Sequence, residues 1–358
     1  MKVLQLIDSL HAGGAERLAV NYANALSPRI EKSYLCATRE EGLLKDSISK
    51  DVEYLFLNKK STFDFKAINK LFLFIKTNRI DIIHAHSSSF FLATIIRILN
   101  PKIDLIWHEH YGNRAQTSIF NKFVLKSCSY FFSSIITANN SLKSRSEKKL
   151  VVKKVYVLPN YPVIDASLKT TRLHGVSNKR IICLANLRTD KDHINLLNAF
   201  FEVRALKSDW TLHLVGHYNE DDYYKTIKKF ILQQHLENHV FIYGSRPDVY
   251  HILSQSAIGV LASKSEGLPV ALLEYGLAKL PVVATNVGDC KNVISNNAEG
   301  ILVDAQNSKE LAEALLVYIN DLDLRNKVAE NLHLKVMSTF SETNVMKSLL
   351  NIYKNHQK

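Results

Sequence analysis

Cysteine is scarce in this chain: its 358 residues include four, Cys36, Cys128, Cys183 and Cys290. They are scattered, so neither a thiol zinc site nor a disulfide framework is implied, and they read as reduced thiols of a cytoplasmic protein. Long apolar runs are missing as well. The first, VLQLI, is cut short by Asp8 and is too brief for a signal-peptide core. Another, FFLATIIRIL at 90 to 99, falls well short of the roughly 20 residues that span a bilayer. No segment is expected to cross a membrane. Nor is there a three-glycine dinucleotide fingerprint, so no nicotinamide cofactor follows, and no short repeat or low-complexity tract occurs.

What is present is an ordinary globular composition, 46% hydrophobic and 22% charged, in a chain long enough for two domains with separate cores. The charge is uneven. Residues 1 to 165 hold 24 Lys and Arg against 14 Asp and Glu, a balance of +10, which leaves +2 of the total +12 to the remainder. In LKSRSEKKLVVKK, 142 to 154, six cations face only Glu147. Such a run is either a solvated helix face or an attraction to an anionic membrane or lipid phosphate. No aromatic stripe or recognition motif accompanies it, which speaks against nucleic acid.

Strand-like runs alternate with helical periods, as a parallel α/β architecture requires. The first series is KVLQLID, SYLCAT, VEYLFL, DIIHAHS, DLIWHEH, SSIITA and VYVLP, ending at residue 159. The polar stretch 160 to 179, with Pro162 and Gly175, lacks either periodicity and is the expected linker. A second series follows: RIICLAN, WTLHLVG, VFIYG, AIGVLAS, PVVAT and GILVD. The expected domains are 1–165 and 178–338. Beyond a break at Ser338 to Ser341, residues 339–358 are expected to form a helix returning to the first domain.

Several stretches carry chemistry. In IDSLHAGGAERLAV, Gly13-Gly14 lies between a strand and a helix, where backbone can approach a ligand and the helix start favours phosphate; a tight structural turn would look the same. Arg188 and Lys191, in ANLRTDKDHINLLNAF, follow the first strand of the second series, where two cations could neutralise a diphosphate without a metal. Two exposed loop charges are the plainer reading. In SKSEGLPVALLEYGLAK, a helix is expected from Val270, and Glu266 and Glu274 bracket its start. The start suits a phosphate, while carboxylates suit sugar and ribose hydroxyls. His84, His86, His108 and His110 come as two His-x-His pairs, each pair on one strand face. They suggest packed histidines, one of which bonds a sugar, before they suggest zinc, because no carboxylate or Cys motif completes the set. Asp321-Leu322-Asp323 resembles a metal-binding carboxylate pair but reads as a helix-capping turn.

Taken together, these motifs resemble the family 4 retaining glycosyltransferases, over nearly the whole chain and in order. They run from Gly13-Gly14-Ala15-Glu16 through Asp81 to His86, His110, and the junction Val157-Leu158-Pro159-Asn160. Then come Asn186-Leu187-Arg188 with Lys191, Gly244 with Arg246 and Asp248, the Glu266 to Glu274 stretch, and PVVAT with Gly288. The resemblance implies the GT-B fold, two Rossmann-like α/β domains facing across a cleft. It also implies transfer of a sugar, with retention, from a nucleoside diphosphate donor to a glycan or polyprenyl-diphosphate-linked acceptor in envelope polysaccharide synthesis. No metal or other cofactor is expected, and the location is cytoplasmic, peripheral on the inner membrane face.

Among residues, the resemblance assigns His110, Glu266 and Lys191 to catalysis. Gly13, Gly14, Arg188, Lys191, Gly267, Leu268, Pro269, Val270 and Glu274 are assigned to the donor, and Glu16 and His86 to the acceptor side. Two positions depart from the pattern. Asn186 stands where many members have Arg, leaving that charge to Arg188, and Asn160-Tyr161 replaces Asn-Gly. The rival readings are a nucleotide-sugar epimerase of the same fold, a metal-dependent hydrolase using the strand histidines, and a silent binding subunit.

Overall fold

The computed structural model describes residues 1–11, 13–110, 119–163 and 168–356. The chain divides into two compact units, Met1–Asn160 with Glu342–Lys358, and Tyr161–Ser341. The expected boundary at residue 165 lies outside the described residues.

In the first unit, seven strands alternate with helices: β1 (Lys2–Ser9), α1 (Gly14–Leu26), β2 (Lys32–Glu40), β3 (Glu53–Phe56), α2 (Phe65–Asn78), β4 (Ile82–His86), α3 (Phe90–Leu99), β5 (Asp104–Glu109), α4 (Ile119–Ser129), β6 (Ser134–Thr137), α5 (Asn140–Lys149) and β7 (Val155–Val157). They form one parallel sheet in the order β3-β2-β1-β4-β5-β6-β7. Alternation sorts its two faces. Leu4, Leu6, Ile83, Ala85, Leu105 and Trp107 join the apolar sides of α2, α3 and α4 in one core. On the opposite face Gln5, His84, His86 and His108, all fully buried, form a polar layer.

The second unit repeats the plan with six strands: β8 (Arg180–Leu184), α6 (His193–Leu206), β9 (Thr211–Val215), α7 (Asp222–Gln233), β10 (Val240–Gly244), α8 (Val249–Ser254), β11 (Ile258–Leu261), α9 (Val270–Leu277), β12 (Val282–Thr285), α10 (Cys290–Val293) and β13 (Ile301–Val303). The order is β10-β9-β8-β11-β12-β13, again parallel. Three helices close the chain, α11 (Ser308–Asn320), α12 (Leu322–Thr339) and α13 (Glu342–Lys354). Asp321 caps α12, its side chain accepting from Leu324 N at 2.9 Å, as the capping turn predicts. After the break, α13 packs in the first unit. Its Tyr353 hydroxyl reaches His84 Nδ1 (2.7 Å) and Gln5 Nε2 (3.2 Å).

Strand order reverses between β1 and β4 in one sheet and between β8 and β11 in the other. At such switch points adjacent loops leave in opposite directions and open a crevice at the carboxyl ends of the strands. The two switch points therefore place residues 10, 11, 13 and 14 beside 87–89, and residues 185–192 beside 262–269.

Candidate active site

The second switch point is joined by an ion pair. Lys191 Nζ lies 2.7 Å from Glu266 Oε1, with side chains 15% and 8% exposed, and Ser263 Oγ donates to the same oxygen at 2.6 Å. Ser263 is itself held by its carbonyl, which accepts from Thr285 Oγ1 at 2.7 Å. The two loops are stitched again by Lys264 N donating to Asp190 O (2.8 Å) and Lys264 Nζ facing Asp192 Oδ1 (3.3 Å). Asp192 takes a left-handed conformation, φ 50°, to turn the chain into α6.

Behind Glu266 stands Gly288, φ +54°, where a Cβ would run into the Glu266 and Gly267 carbonyls. Asp289 N donates to Gly267 O at 3.0 Å, which fixes the loop leading to α9. At Gly267 itself a Cβ would meet nothing, so the loop's outer side is open. The helix then starts at Val270 behind Pro269, whose side chain makes no capping hydrogen bond. Its first N–H groups have no intrahelical acceptors, and the macrodipole places partial positive charge there. Leu268 and Pro269 are buried and Glu274 is half-buried one turn along. The next residue, Tyr275, is pinned to the sheet: its hydroxyl accepts from Leu184 N (2.7 Å) and donates toward Val260 O (3.2 Å). A Cβ at Gly259 would lie 2.7 Å from that ring, so glycine in β11 is what seats α9 so closely.

Thus Lys191, Glu266, Gly267, Leu268, Pro269 and Val270 gather where the motifs place them. Arg188 shares the loop, but its side chain is 61% exposed and its guanidinium rests on Asp190 (3.1 Å). Asn186, at the position many members fill with Arg, accepts from His217 N at 2.9 Å and so works as a loop brace. Asp248 has a structural task too. It accepts from Thr170 N, Thr171 N and Thr171 Oγ1 at 2.6 to 2.8 Å. Burial raises its pKa, yet these bonds outweigh burial and bring it to about 2. Cys183 and Cys290 are pushed up to about 12 by burial, which keeps them inert thiols.

In the first unit, Gly13 precedes α1 and the Glu16 carboxylate folds back over it, filling the space a side chain would need; Gly14 is open. Burial raises the Glu16 pKa, its own backbone bond opposes this, and the charge of Asp8 adds to the rise. Asp8 accepts from Thr38 and Ser88 hydroxyls, both at 2.6 Å.

The four histidines lie as a layer of imidazoles 4.1 to 5.6 Å apart. His86 requires a correction: it was expected to touch the acceptor, but it is fully buried, with Nε2 2.8 Å from Gln5 Oε1 and Nδ1 2.9 Å from His110 Nε2. His110, half-buried at the end of β5, stands outermost. The nitrogens of His84, His86 and His108 come within 4.8 Å of one another, close enough to ask whether they hold a cation. The donor set has no anion, and His86 would have to release Gln5 or His110 to take part. That chemistry fits a hydrogen-bonded layer better than a dication site. Burial, joined by mutual repulsion, lowers the pKa of all three well below the usual histidine value, so they are neutral.

Two family profiles match the chain, Glycosyltransferase Family 4 over residues 12–161 and Glycosyl transferases group 1 over residues 168–334. The chain belongs to the family 4 glycosyltransferases. An uncharacterized glycosyltransferase of Haemophilus influenzae is 24% identical over 87% of this chain and 88% of its own. The UDP-Gal:alpha-D-GlcNAc-diphosphoundecaprenol alpha-1,3-galactosyltransferase of Escherichia coli is 21% identical over 95% and 93%. Among solved structures, Anabaena HepE in complex with UDP aligns with a TM-score of 0.83 at 20% identity, covering 99% of this chain and 100% of that one. A glycosyltransferase from Rickettsia africae aligns at 0.79 and 21%, over 100% and 98%. These likenesses carry the two-domain GT-B fold. Nothing among these relatives supports the epimerase or hydrolase readings.

Sequence reasoning about this glycosyltransferase passed over Ser263, Tyr275, Gln5 and Tyr353. Gln5 had a signal, a lone polar residue inside the apolar run VLQLI. Tyr275 and Tyr353 act through partners distant in sequence and had none, while Ser263, three residues before Glu266, looks like any loop serine.

Proposed function

We propose that this glycosyltransferase transfers a sugar, with retention of anomeric configuration and without a metal, from a nucleoside diphosphate donor to a glycan or polyprenyl-diphosphate-linked acceptor. The observation that carries the reading is the Lys191–Glu266 pair beside the start of α9. A diphosphate placed there would receive the Lys191 ammonium and the amides of Gly267, Leu268 and Val270, with Pro269 shaping the turn. Arg188 is the second cation within reach of the same loop. Glu274 would accept from the ribose hydroxyls. Glu266 spends Oε1 on Lys191 and Ser263, so Oε2 serves the transferred sugar. By the family resemblance His110 is assigned to a hydroxyl of the transferred sugar, Gly13 and Gly14 to the donor phosphate, and Glu16 to the acceptor.

The anomeric carbon–oxygen bond to the diphosphate breaks, a bond to the acceptor oxygen forms on the same face, and the acceptor proton passes to the departing diphosphate. Lys191 and the helix amides stabilise the charge that develops there, the work a metal does in other sites. Support for the donor comes from HepE, solved with UDP-glucose, and for the acceptor from relatives named for undecaprenyl-diphosphate substrates in Escherichia coli and Campylobacter jejuni.

Peripheral binding at the inner membrane face belongs to the same proposal. No described helix is long and apolar enough to cross a membrane. On and after α4, Phe123 (68% exposed) and Tyr130 (67%) stand beside Lys122 and Lys126, and Lys148 and Lys149 are exposed on α5. Aromatic side chains among cations suit an anionic lipid surface.

Thermal unfolding against a panel of nucleotide sugars tests the donor assignment. The true donor raises the midpoint with concentration, because it binds only the folded chain. If no nucleotide sugar stabilises the protein, the reading fails.

A further inference from the structure

One buried cation at the strand ends of the first unit is left without a partner. We propose that Lys59, helped by Arg39, forms a phosphate site within the first unit that holds the diphosphate of a polyprenyl-linked acceptor. The inference rests on the acceptor reading just given, and it selects the lipid-linked diphosphate over an unphosphorylated glycan.

Lys59 is fixed by backbone. Past the end of β3 the chain stays against β2, with Leu57 N donating to Ala37 O (3.0 Å) and Lys59 N to Thr38 O (2.8 Å). Asn58 between them turns left-handed, φ 52°. The lysine that results is only 6% exposed. It stands at the carboxyl ends of parallel strands, the side on which such sheets take their ligands.

A lysine this buried is ordinarily paired. The Lys59 ammonium makes no hydrogen bond or ion pair among the described residues, and the two acids whose charge reaches it are engaged elsewhere. Asp8 accepts from the Thr38 hydroxyl on one oxygen and from the Ser88 hydroxyl on the other, both at 2.6 Å. Asp64 caps α2, accepting from Lys60 N (3.0 Å) and Ala67 N (3.1 Å). Burial lowers the Lys59 pKa, the charge of Arg39 lowers it further, and Asp8 and Asp64 oppose the fall without cancelling it. Arg39, exposed at the end of β2, has no acid partner among the described residues either. A methionine would fill the place of Lys59 without a charge to desolvate. Two neighbouring cations without a bound anion are costly to the fold, and a diphosphate offsets that cost with charge-assisted hydrogen bonds.

What carries the phosphate follows from the next residues of the chain. Phe63 and Phe65, 61% and 78% exposed, flank the Asp64 cap, and Phe63 packs edge-on against Phe91 of α3 at 5.6 Å. Exposed aromatic rings beside a phosphate site suit an isoprenoid tail, whereas free phosphate leaves them in water.

Calorimetric titration of the full-length chain with inorganic pyrophosphate tests the site. Lys191→Ala/Glu266→Gln, which lacks the proposed donor diphosphate grip, should still bind one pyrophosphate, and adding Lys59→Met should abolish that binding. Arg39→Gln, a surface change, should weaken it by about tenfold. No binding in the double variant, or binding that survives Lys59→Met, overturns the proposal. Farnesyl diphosphate, a short soluble polyprenyl diphosphate, separates the sources. It should bind the double variant about tenfold or more tighter than pyrophosphate, and Phe63→Ser/Phe65→Ser should remove that advantage. Equal affinities would make this a site for free phosphate and overturn the lipid-linked assignment. If farnesyl diphosphate binds through Lys59 and yet no sugar passes to a polyprenyl-diphosphate-linked acceptor, the site stands and the acceptor reading is what fails.

Discussion

Lys191 Nζ and Glu266 Oε1, 75 residues apart in sequence, meet at 2.7 Å across the point where the second sheet reverses its strand order. Each charge neutralises the other in a setting from which water is largely excluded. A buried pair contributes little net stability, but removing one partner strands the other, at a cost of about 3–5 kcal/mol. Lys191→Ala is therefore expected to lower the stability of the second unit as well as donor affinity. Adding Glu266→Gln should recover much of the stability and none of the donor binding. Urea unfolding of the singles and the double checks this; a Lys191→Ala protein as stable as the parent would show that the pair is not isolated from solvent.

Gly267 and Gly288 make a contrasting pair. A methyl at Gly288 meets the Glu266 carbonyl on a backbone with φ +54°, so Gly288→Ala should shift the loop, destabilise the protein by about 1–3 kcal/mol and weaken the donor. A methyl at Gly267 meets nothing in the protein, so Gly267→Ala should leave unfolding unchanged and still weaken donor binding. Calorimetric titration with the donor beside thermal melts separates the two. Undiminished affinity in Gly267→Ala would remove that residue from the phosphate contact.

Acid should destabilise both units through histidine. Burial lowers His193 to about 4 and His213 to about 3 in the second unit, and lowers His84, His86 and His108 in the first, from the reference 6.5. A depressed folded value means that the unfolded chain binds the proton first. Stability is thus fully present above about pH 6.5 and falls as pH drops toward the folded values, by about 1.4 kcal/mol per pH unit for each histidine. Denaturant midpoints at pH 7.5 and 5.5 should differ clearly, and His213→Gln should reduce the difference for the second unit. A flat profile would show that these imidazoles are protonated in the fold.

Much of this was legible because parallel strands buried on both faces leave short apolar runs between helical periods. All the expected strand segments appear, and Lys191 and Glu266 lie in the loops that follow two of them. Depth was not legible. The pair His84-x-His86 shows which face a side chain takes, whereas the covering of that face by Tyr22 and Tyr353 comes from α1 and from the last helix of the chain. His86 was accordingly placed against the acceptor instead of behind His110. Arg188 and Lys191 look equivalent in the sequence. Only the fold shows that one is held by Glu266 and the other lies on the exposed Asp190.

Tyr275 gives the last prediction. Strands β8 and β11 pair through Ile181–Ile258 and Ile182–Gly259 and then diverge. Beyond that point the Tyr275 hydroxyl spans them, accepting from Leu184 N at 2.7 Å and reaching Val260 O at 3.2 Å. Burial raises its pKa well above the usual tyrosine value, so the hydroxyl stays a donor. Leu184 leads into the loop that bears Lys191, and Glu274 precedes Tyr275 on α9, so this one oxygen ties both halves of the proposed donor site to the sheet. Tyr275→Phe keeps the ring against Gly259 and leaves Leu184 N buried without its acceptor, which should cost about 1–3 kcal/mol. Donor affinity should fall in parallel, whereas a trimmed core residue remote from these loops, such as Leu311→Val, should lose stability alone. If Tyr275→Phe binds donor as tightly as the parent while unfolding more easily, the hydroxyl serves only the fold, and the geometry of the two loops is set without it.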